Sequence, residues 1–297
     1  MNQISHTGAK PVVACLDGTD DGHRAMVFAI TRARLLHTEL RLLHVVPTLA
    51  PFAPKASIIG ERSMDEISKT IMKDAVTQCD RLAPDLSVSV GLRHEDTYTV
   101  FSDESKHAQC LVLGSRSQPP FRSGAGSTTN LACVAAECPV FAVPNAWQQD
   151  GGRGPVVVAV SYREEIVNLV SMAMAECELR RTQLVVLHAW RPVDGYAHAS
   201  TNAEDPGWVE TAARELAEAT AGVRADHPDV AVTFKARYLS PPVALAEAAA
   251  DACLVVVGRH HNFLPMFSGL GRMTQAALHA GTCPVEIVPP TRAASDS

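Results

Sequence analysis

Asp17 and the stretch Gly114-Ser-Arg-Ser-Gln-Pro-Pro-Phe-Arg-Ser-Gly-Ala-Gly-Ser-Thr128 are the residues best suited to chemistry in this chain. The stretch follows the apolar run Cys110-Leu-Val-Leu113 and leads into a helical segment opened by Ser127 and Thr128. A strand, a glycine-rich loop and a hydroxyl-bearing helix start make an anion cradle. Loop N–H groups can point inward, and a helix N-terminus carries roughly half a positive charge. Gly124 and Gly126 tolerate positive φ and let a phosphate approach the backbone. Ser127 and Thr128 offer hydroxyl and N–H donors, while Arg116 and Arg122 add charge-assisted contacts. Asp17-Gly18-Thr19 ends a second apolar run, where the carboxylate can accept a hydrogen bond from an amino or hydroxyl group. The competing reading makes the loop a plain connection and Asp17 the N-cap of the next helix.

Both features sit inside a duplicated unit. Pro11-Val-Val-Ala-Cys-Leu-Asp17 aligns with Pro155-Val-Val-Val-Ala-Val-Ser161, Leu43-His44 with Leu187-His188, and Gly114 with Gly258, each pair 144 positions apart. Cys138-Pro139-Val140 and Cys283-Pro284-Val285 are 145 apart, so the register drifts by one residue over the unit. Within the first copy, strand and helix periods alternate. Val12–Leu16 and Leu40–Val46 are apolar strands, with a helix between them whose face is Ala25, Ala29, Ala33 and Leu36. A Pro-rich loop (Pro47, Pro51, Pro54) leads to a helix opened by the capping box Ser63-x-x-Glu66, with the stripe Ile67, Ile71, Ala75 and Leu82. Leu86, Val88, Val90 and Leu92 alternate as a strand, and Thr97 to His107 has no clear period. The unit closes with Cys110–Leu113, the loop, a short helix over 127–136 and the strand Val140–Val143.

The second copy repeats this order. Its helix faces are Ile166, Val170, Ala173 and Cys177, then Val209, Ala213 and Leu216, then the alanine-rich segment 243–250; its strands are 184–187, 230–234 and 254–257. Strands that alternate with helices and lack tight hairpin turns predict a parallel sheet covered on both faces. Ligands of such sheets bind at the carboxyl ends of the strands near the switch point. Residues 145–154 have no apolar period and read as a linker.

Composition bounds the rest. The 297 residues suit two ordinary domains, and 46% hydrophobic with 20% charged residues reads as globular. A net charge of −6 argues against nucleic acid or an anionic membrane surface as partner. No apolar run approaches the roughly 20 residues of a membrane span, and no leader is visible, so a cytoplasmic setting is expected. Among the eight cysteines there is no Cys-x-x-Cys; they read as buried reduced thiols acting as small hydrophobes.

The duplicated five-strand unit resembles a tandem universal stress protein over nearly the whole chain, with domains expected at 10–146 and 154–290. ATP-binding members of that family carry Gly-x-x-Gly, nine residues, then Gly-Ser/Thr, together with an Asp after the first strand. Here Asp17 matches the Asp and Gly114 the first glycine, but Ser117 replaces the second, and only the eight residues 118–125 precede Gly126-Ser127. Val45, after His44, resembles the position whose backbone faces adenine. In the second copy Ser161 replaces the Asp, His261 the second glycine and Arg272 the Ser/Thr, although Gly271 and the nine-residue spacing are kept. The Arg272 guanidinium would either fill that cradle or capture a free anion.

The resemblance implies an α/β fold of two repeated five-stranded parallel open sheets with helices on both faces, Rossmann-like and similar to the adenine nucleotide alpha hydrolases. It implies ATP or a related adenine nucleotide, with Mg²⁺ as an option, bound in the first domain by Asp17, Gly18, Thr19, Val45, Gly114, Arg116, Ser117, Gly124, Gly126, Ser127 and Thr128. It further implies a protein partner in stress adaptation, an intrachain pseudo-dimer, association of two chains, and a second domain that is structural. A nucleotide-independent interaction scaffold and a weak ATP hydrolase are the alternatives. No Gly-x-x-x-x-Gly-Lys-Ser/Thr loop is present, and phosphoryl transfer needs the charge such a lysine supplies, so no catalytic residue is assigned. His260-His261 lacks a carboxylate or Cys at helical spacing and is not read as a metal pair. His44 and His188 read as core histidines, Asp20-Asp21 as a helix N-terminus, and Glu95-Asp96 and Asp103-Glu104 as solvated loop charges.

Overall fold

Short runs rich in valine, leucine and alanine become strands, buried most completely in β1, β4 and β5 and less so toward the β3 edge, and in the first half five of them align in parallel. They are β1 (Val12–Cys15), β2 (Leu40–Val45), β3 (Val88–Arg93), β4 (Cys110–Ser115) and β5 (Val140–Pro144). The computed structural model describes residues 9–46, 57–115, 128–149, 154–161, 166–190, 206–259 and 270–290. The strand order is β3-β2-β1-β4-β5, all parallel. Cys15 stands opposite both Leu43 and Leu113, so β2, β1 and β4 end side by side. The chain reverses its direction of travel across the sheet between β1 and β4, and this is the switch point.

Helix α1 (Asp20–Leu35) lies on β1, β4 and β5. Its contact face is Ala25, Ala29 and Ala33, all fully buried, and these small side chains allow a close approach. Phe28 meets Phe141 with ring centroids 5.5 Å apart, and the Arg32 guanidinium sits 4.1 Å from the Phe141 centroid. Helix α2 (Ser57–Leu82) covers β2 and β3. It corrects the expectation from the sequence: Ser63 lies inside the helix rather than at its start. Ile67 is half exposed, and the buried face is Ser68, Met72, Ala75 and Cys79.

The segment without a clear period is a helix, α3 (Thr97–Lys106). Asp96 caps it, accepting from the Thr99 N–H at 3.0 Å. Glu104 on this helix is no solvated loop charge. It is buried and accepts from Arg41 (Nε to Oε2 2.8 Å, Nη2 to Oε1 3.2 Å) and from Arg93 Nη1 at 3.0 Å. Gly91 leaves room for this cluster, since a Cβ there would stand 2.8 Å from Arg41 Nη2. Val90, part of the expected alternating strand, lies half exposed on the edge strand β3. Helix α4 (Thr128–Ala135) packs beside α3 and leads into β5.

The chain divides into two compact units, Met1–Asn145 and Ala146–Ser297. The second repeats the order with β6 (Val156–Val160), α5 (Ile166–Arg180), β7 (Leu184–Ala189), α6 (Pro206–Ala219), α7 (Ala221–Asp226), β8 (Val232–Arg237), α8 (Pro241–Ala249), β9 (Leu254–Gly258), α9 (Arg272–Ala280) and β10 (Val285–Val288). Its strands run β10-β9-β6-β7-β8, again all parallel and equivalent to the first set. The α6–α7 break was not expected. It falls at Thr220, fully buried, whose hydroxyl donates to the Leu216 carbonyl at 2.8 Å.

All eight cysteines are free and seven are buried, Cys15 being partly exposed. Burial pushes the Cys79 and Cys283 thiols up to about 11 and those of Cys138 and Cys177 up to about 12, so they stay neutral. No described helix is long and apolar enough to cross a membrane.

Two stability predictions follow from these elements. Glu104→Gln removes the charge between Arg41 and Arg93 and should lower unfolding free energy by about 2 kcal/mol in a urea titration. An unchanged midpoint would refute the cluster's role. His37 and Arg181, both just past a helix end, hold left-handed φ of 49° and 53°. The double variant His37→Gly, Arg181→Gly should gain about 1 kcal/mol, read as a raised thermal midpoint, because glycine adopts that conformation without a Cβ clash.

Candidate functional site

Asp17 emerges from β1 at the switch point, and its carboxylate is tied down on one side. Oδ1 accepts from the Thr19 N–H at 3.0 Å and from the Thr19 hydroxyl at 2.6 Å. Oδ2 has no hydrogen bond among the described residues. Thr19, not Asp17, is the N-cap of α1: its hydroxyl oxygen accepts from the Gly22 N–H at 3.3 Å. The alternative that made Asp17 the cap is therefore corrected by two residues. Asp17 is exposed and orients the cap. Gly18 makes the bend with φ +76°, and a Cβ there would press on Ile71 of α2.

Gly114, near the end of β4, lies directly beneath the first turn of α1. A Cβ on it would stand 2.6 Å from the backbone carbon and oxygen of Asp21. Its carbonyl accepts from the Thr129 hydroxyl at 2.9 Å, which ties the first turn of α4 to the strand. Two helix N-termini thus meet at one glycine. They differ in charge. Asp20 and Asp21 stand in the first turn of α1 and offset its partial positive charge, with Asp21 also paired to Arg24 at 2.7 Å. The first turn of α4 has no acidic residue, so its field is left for an anion.

Val45 closes β2 opposite Arg93, next to Asp17 along the same sheet edge. Asp17, Gly18, Thr19, Val45, Gly114 and the exposed Thr128 therefore share the carboxyl end of the first sheet. Arg116, Ser117, Gly124, Gly126 and Ser127 lie outside the described residues, as do His260 and His261. Sequence reasoning missed Gly22 and Thr129. A glycine in a helix start and a buried threonine carry no motif of their own, but the repeat would have singled out Thr129 through its partner Thr274.

His44 is a core histidine, as expected. Its Nδ1 lies 2.7 Å from the Leu16 carbonyl and its Nε2 3.0 Å from the Ser68 hydroxyl, which explains a serine on the buried face of α2. His188 repeats the first contact, with Nδ1 3.0 Å from the Val160 carbonyl, and stacks on Trp190 at 5.3 Å. Its burial holds the imidazole below the ordinary histidine range. In the second half Thr274 donates to the Gly258 carbonyl at 3.3 Å, copying Thr129. Ser161 is exposed where Asp17 would be, and Arg272 is exposed in the first turn of α9, whose N-cap Gly271 makes no side-chain bond. Among the described residues, no group of three or more His, Cys, Asp or Glu is placed to hold a metal ion.

Known proteins carry the same organisation. The chain is 27% identical over 290 residues to a universal stress protein of Mycolicibacterium smegmatis, spanning 94% of this chain and 97% of that protein. It is 27% identical over 287 residues to one of Mycobacterium tuberculosis, spanning 92% and 95%. The fold is similar to the crystal structure of a universal stress protein from Archaeoglobus fulgidus, with a TM-score of 0.70 at 14% identity over 94% of this chain and 96% of that one. The model of the Universal stress protein family matches residues 8–144 and again 152–289. One match falls on each five-stranded repeat, and the chain belongs to the universal stress protein family in its tandem, two-domain form.

Proposed function

We propose that the first half of the chain binds ATP or a related adenine nucleotide, and that occupancy of this site governs attachment of a protein partner in stress adaptation. The observation that carries the reading is the meeting at Gly114 of an acid-free helix start and, across the switch point, a carboxylate with one oxygen held and the other without a hydrogen bond among the described residues. That pairing suits a ligand with an anionic end and a donor end. Phosphates would lie on the α4 N-terminus, Thr128 and the loop carrying Arg116, Ser117, Gly124, Gly126 and Ser127. Asp17 Oδ2 would accept from the adenosine hydroxyl or amino groups, and the Val45 backbone would face the base. Asp20 and Asp21 offer oxygen ligands should Mg²⁺ accompany the phosphates. The sequence carries no Gly-x-x-x-x-Gly-Lys-Ser/Thr loop whose lysine would stabilise phosphoryl transfer, so hydrolysis is absent or slow. The second half, with Ser161 and Arg272 in the matching places, serves as structure. Neutral buried thiols suit the reducing cytoplasm.

A nucleotide-independent scaffold competes, because Ser117 replaces a family glycine and the loop is one residue short. One experiment separates the two. Calorimetry on the full chain should give one ATP per chain, and nucleotide should be released when the purified protein is denatured for mass spectrometry. Asp17→Ala should weaken binding by about 10- to 100-fold, the worth of a hydrogen bond to a charged group, and Gly126→Val should abolish it. No bound nucleotide, or two equal sites per chain, would overturn the reading.

A further inference from the structure

Gly22 occupies the third position of α1, where alanine would favour the helix by about 0.5–1 kcal/mol. Something else must hold a glycine there. A Cβ on Gly22 would stand 2.7 Å from Asp17 Oδ1 and 3.3 Å from the Asp17 N–H nitrogen. The near contact is with the carboxylate itself, in the orientation set by Thr19. The internal repeat gives an independent control. Counting 144 positions on, Asp17, Gly18, Thr19 and Gly22 become Ser161, Tyr162, Arg163 and Ile166. Where the carboxylate is gone, a β-branched side chain, Ile166, occupies the matching position, and α5 still forms. The second repeat thus forms its helix with a bulky side chain at the place matching Gly22.

We infer that Gly22 is a positioning residue of the nucleotide site: its missing side chain fixes the Asp17 carboxylate with Oδ1 inward on Thr19 and Oδ2 toward the ligand. Gly22 thereby sets the preference for a ligand that donates a hydrogen bond beside its phosphates. This rests on the reading of the site proposed above. A methyl group at position 22 turns or displaces the carboxylate and leaves the fold intact, because a carboxylate can rotate about its side-chain bonds where a backbone cannot.

The test is a double-mutant cycle on the full chain, with ATP binding followed by calorimetry and folding by thermal unfolding. Gly22→Ala should bind ATP about 10-fold more weakly while its thermal midpoint stays level or rises. Asp17→Ala alone should lose more, and the double variant should bind no more weakly than Asp17→Ala, because the methyl then has no carboxylate to displace. Inorganic tripolyphosphate, which lacks the donor end, should bind wild type and Gly22→Ala alike. Wild-type affinity in Gly22→Ala, or losses that add in the double variant, would overturn the inference while leaving the site standing. A folding failure in Gly22→Ala would overturn it as well, since the contact would then be with backbone. Failure of the wild type to bind ATP would instead remove the site reading, and this inference with it.

Discussion

The first half is organised by one close approach, that of the α1 first turn to the end of β4 at Gly114. No side chain fits between them, because a Cβ would fall 2.6 Å from the Asp21 backbone. This contact sets how far α1 can descend onto the sheet, and the run of fully buried alanines behind it continues the same close packing. It also fixes the β1–α1 loop over the switch point, because the loop must climb from Leu16 to a helix whose height is already determined. The Thr129 bond to the Gly114 carbonyl then uses the same residue to seat α4. One glycine thus serves two elements. Its side-chain position is needed for packing and its carbonyl for tethering.

Buried polar groups do the finer positioning. A buried donor or acceptor left without a partner costs more than an ordinary hydrogen bond gains, so each such group restricts what may lie opposite it. His44 holds the Leu16 carbonyl with one nitrogen and Ser68 of α2 with the other, and so links the end of β1 to the helix above β2 and β3. Glu104 gathers Arg41 from β2 and Arg93 from β3 onto α3. Both clusters lock helices to strands that apolar contacts alone would allow to slide.

These clusters also explain where the sequence could be read and where it could not. Strands β1, β4 and β5, with β6 and β9 in the second half, are built on apolar runs with one interpretation, and the repeat itself exposes the order of elements. The apolar period of α2 points to a face that includes Ala75 but is rotated from the buried one, because Ser68 counts as polar in any periodicity although its hydroxyl meets His44. Helix α3 has no legible period because Thr97-Tyr-Thr-Val-Phe favours strands locally, and packing on α4 overrides that preference. Asp96, dismissed as a loop charge, was the capping signal that would have revealed it. At the candidate site, Asp17 and Gly114 carried recognisable chemistry. Gly22 and Thr129 act by making room and by tethering, and neither role leaves a pattern in composition or period.

The two halves together separate what folding requires from what a ligand would require. Several features recur at matching positions: the histidine bond to the strand end, the Thr129 and Thr274 tethers, and left-handed residues at 37 and 181. Thr38 and Thr182 likewise donate to the carbonyls of Lys10 and Gly154, at 2.8 and 3.0 Å. Each of these joins one element to another, and each half needs it to assemble. The β1–α1 loop is different. Asp17, Gly18, Thr19 and Gly22 are all replaced in the second half, yet β6 to β10 adopt the same order. A set of residues that can be exchanged together without altering the fold is not held in place by the fold. In the first half these four form one linked arrangement, a bend, a cap, a carboxylate and the space beside it, which is the arrangement that the proposed ligand at the carboxyl end of the sheet would use.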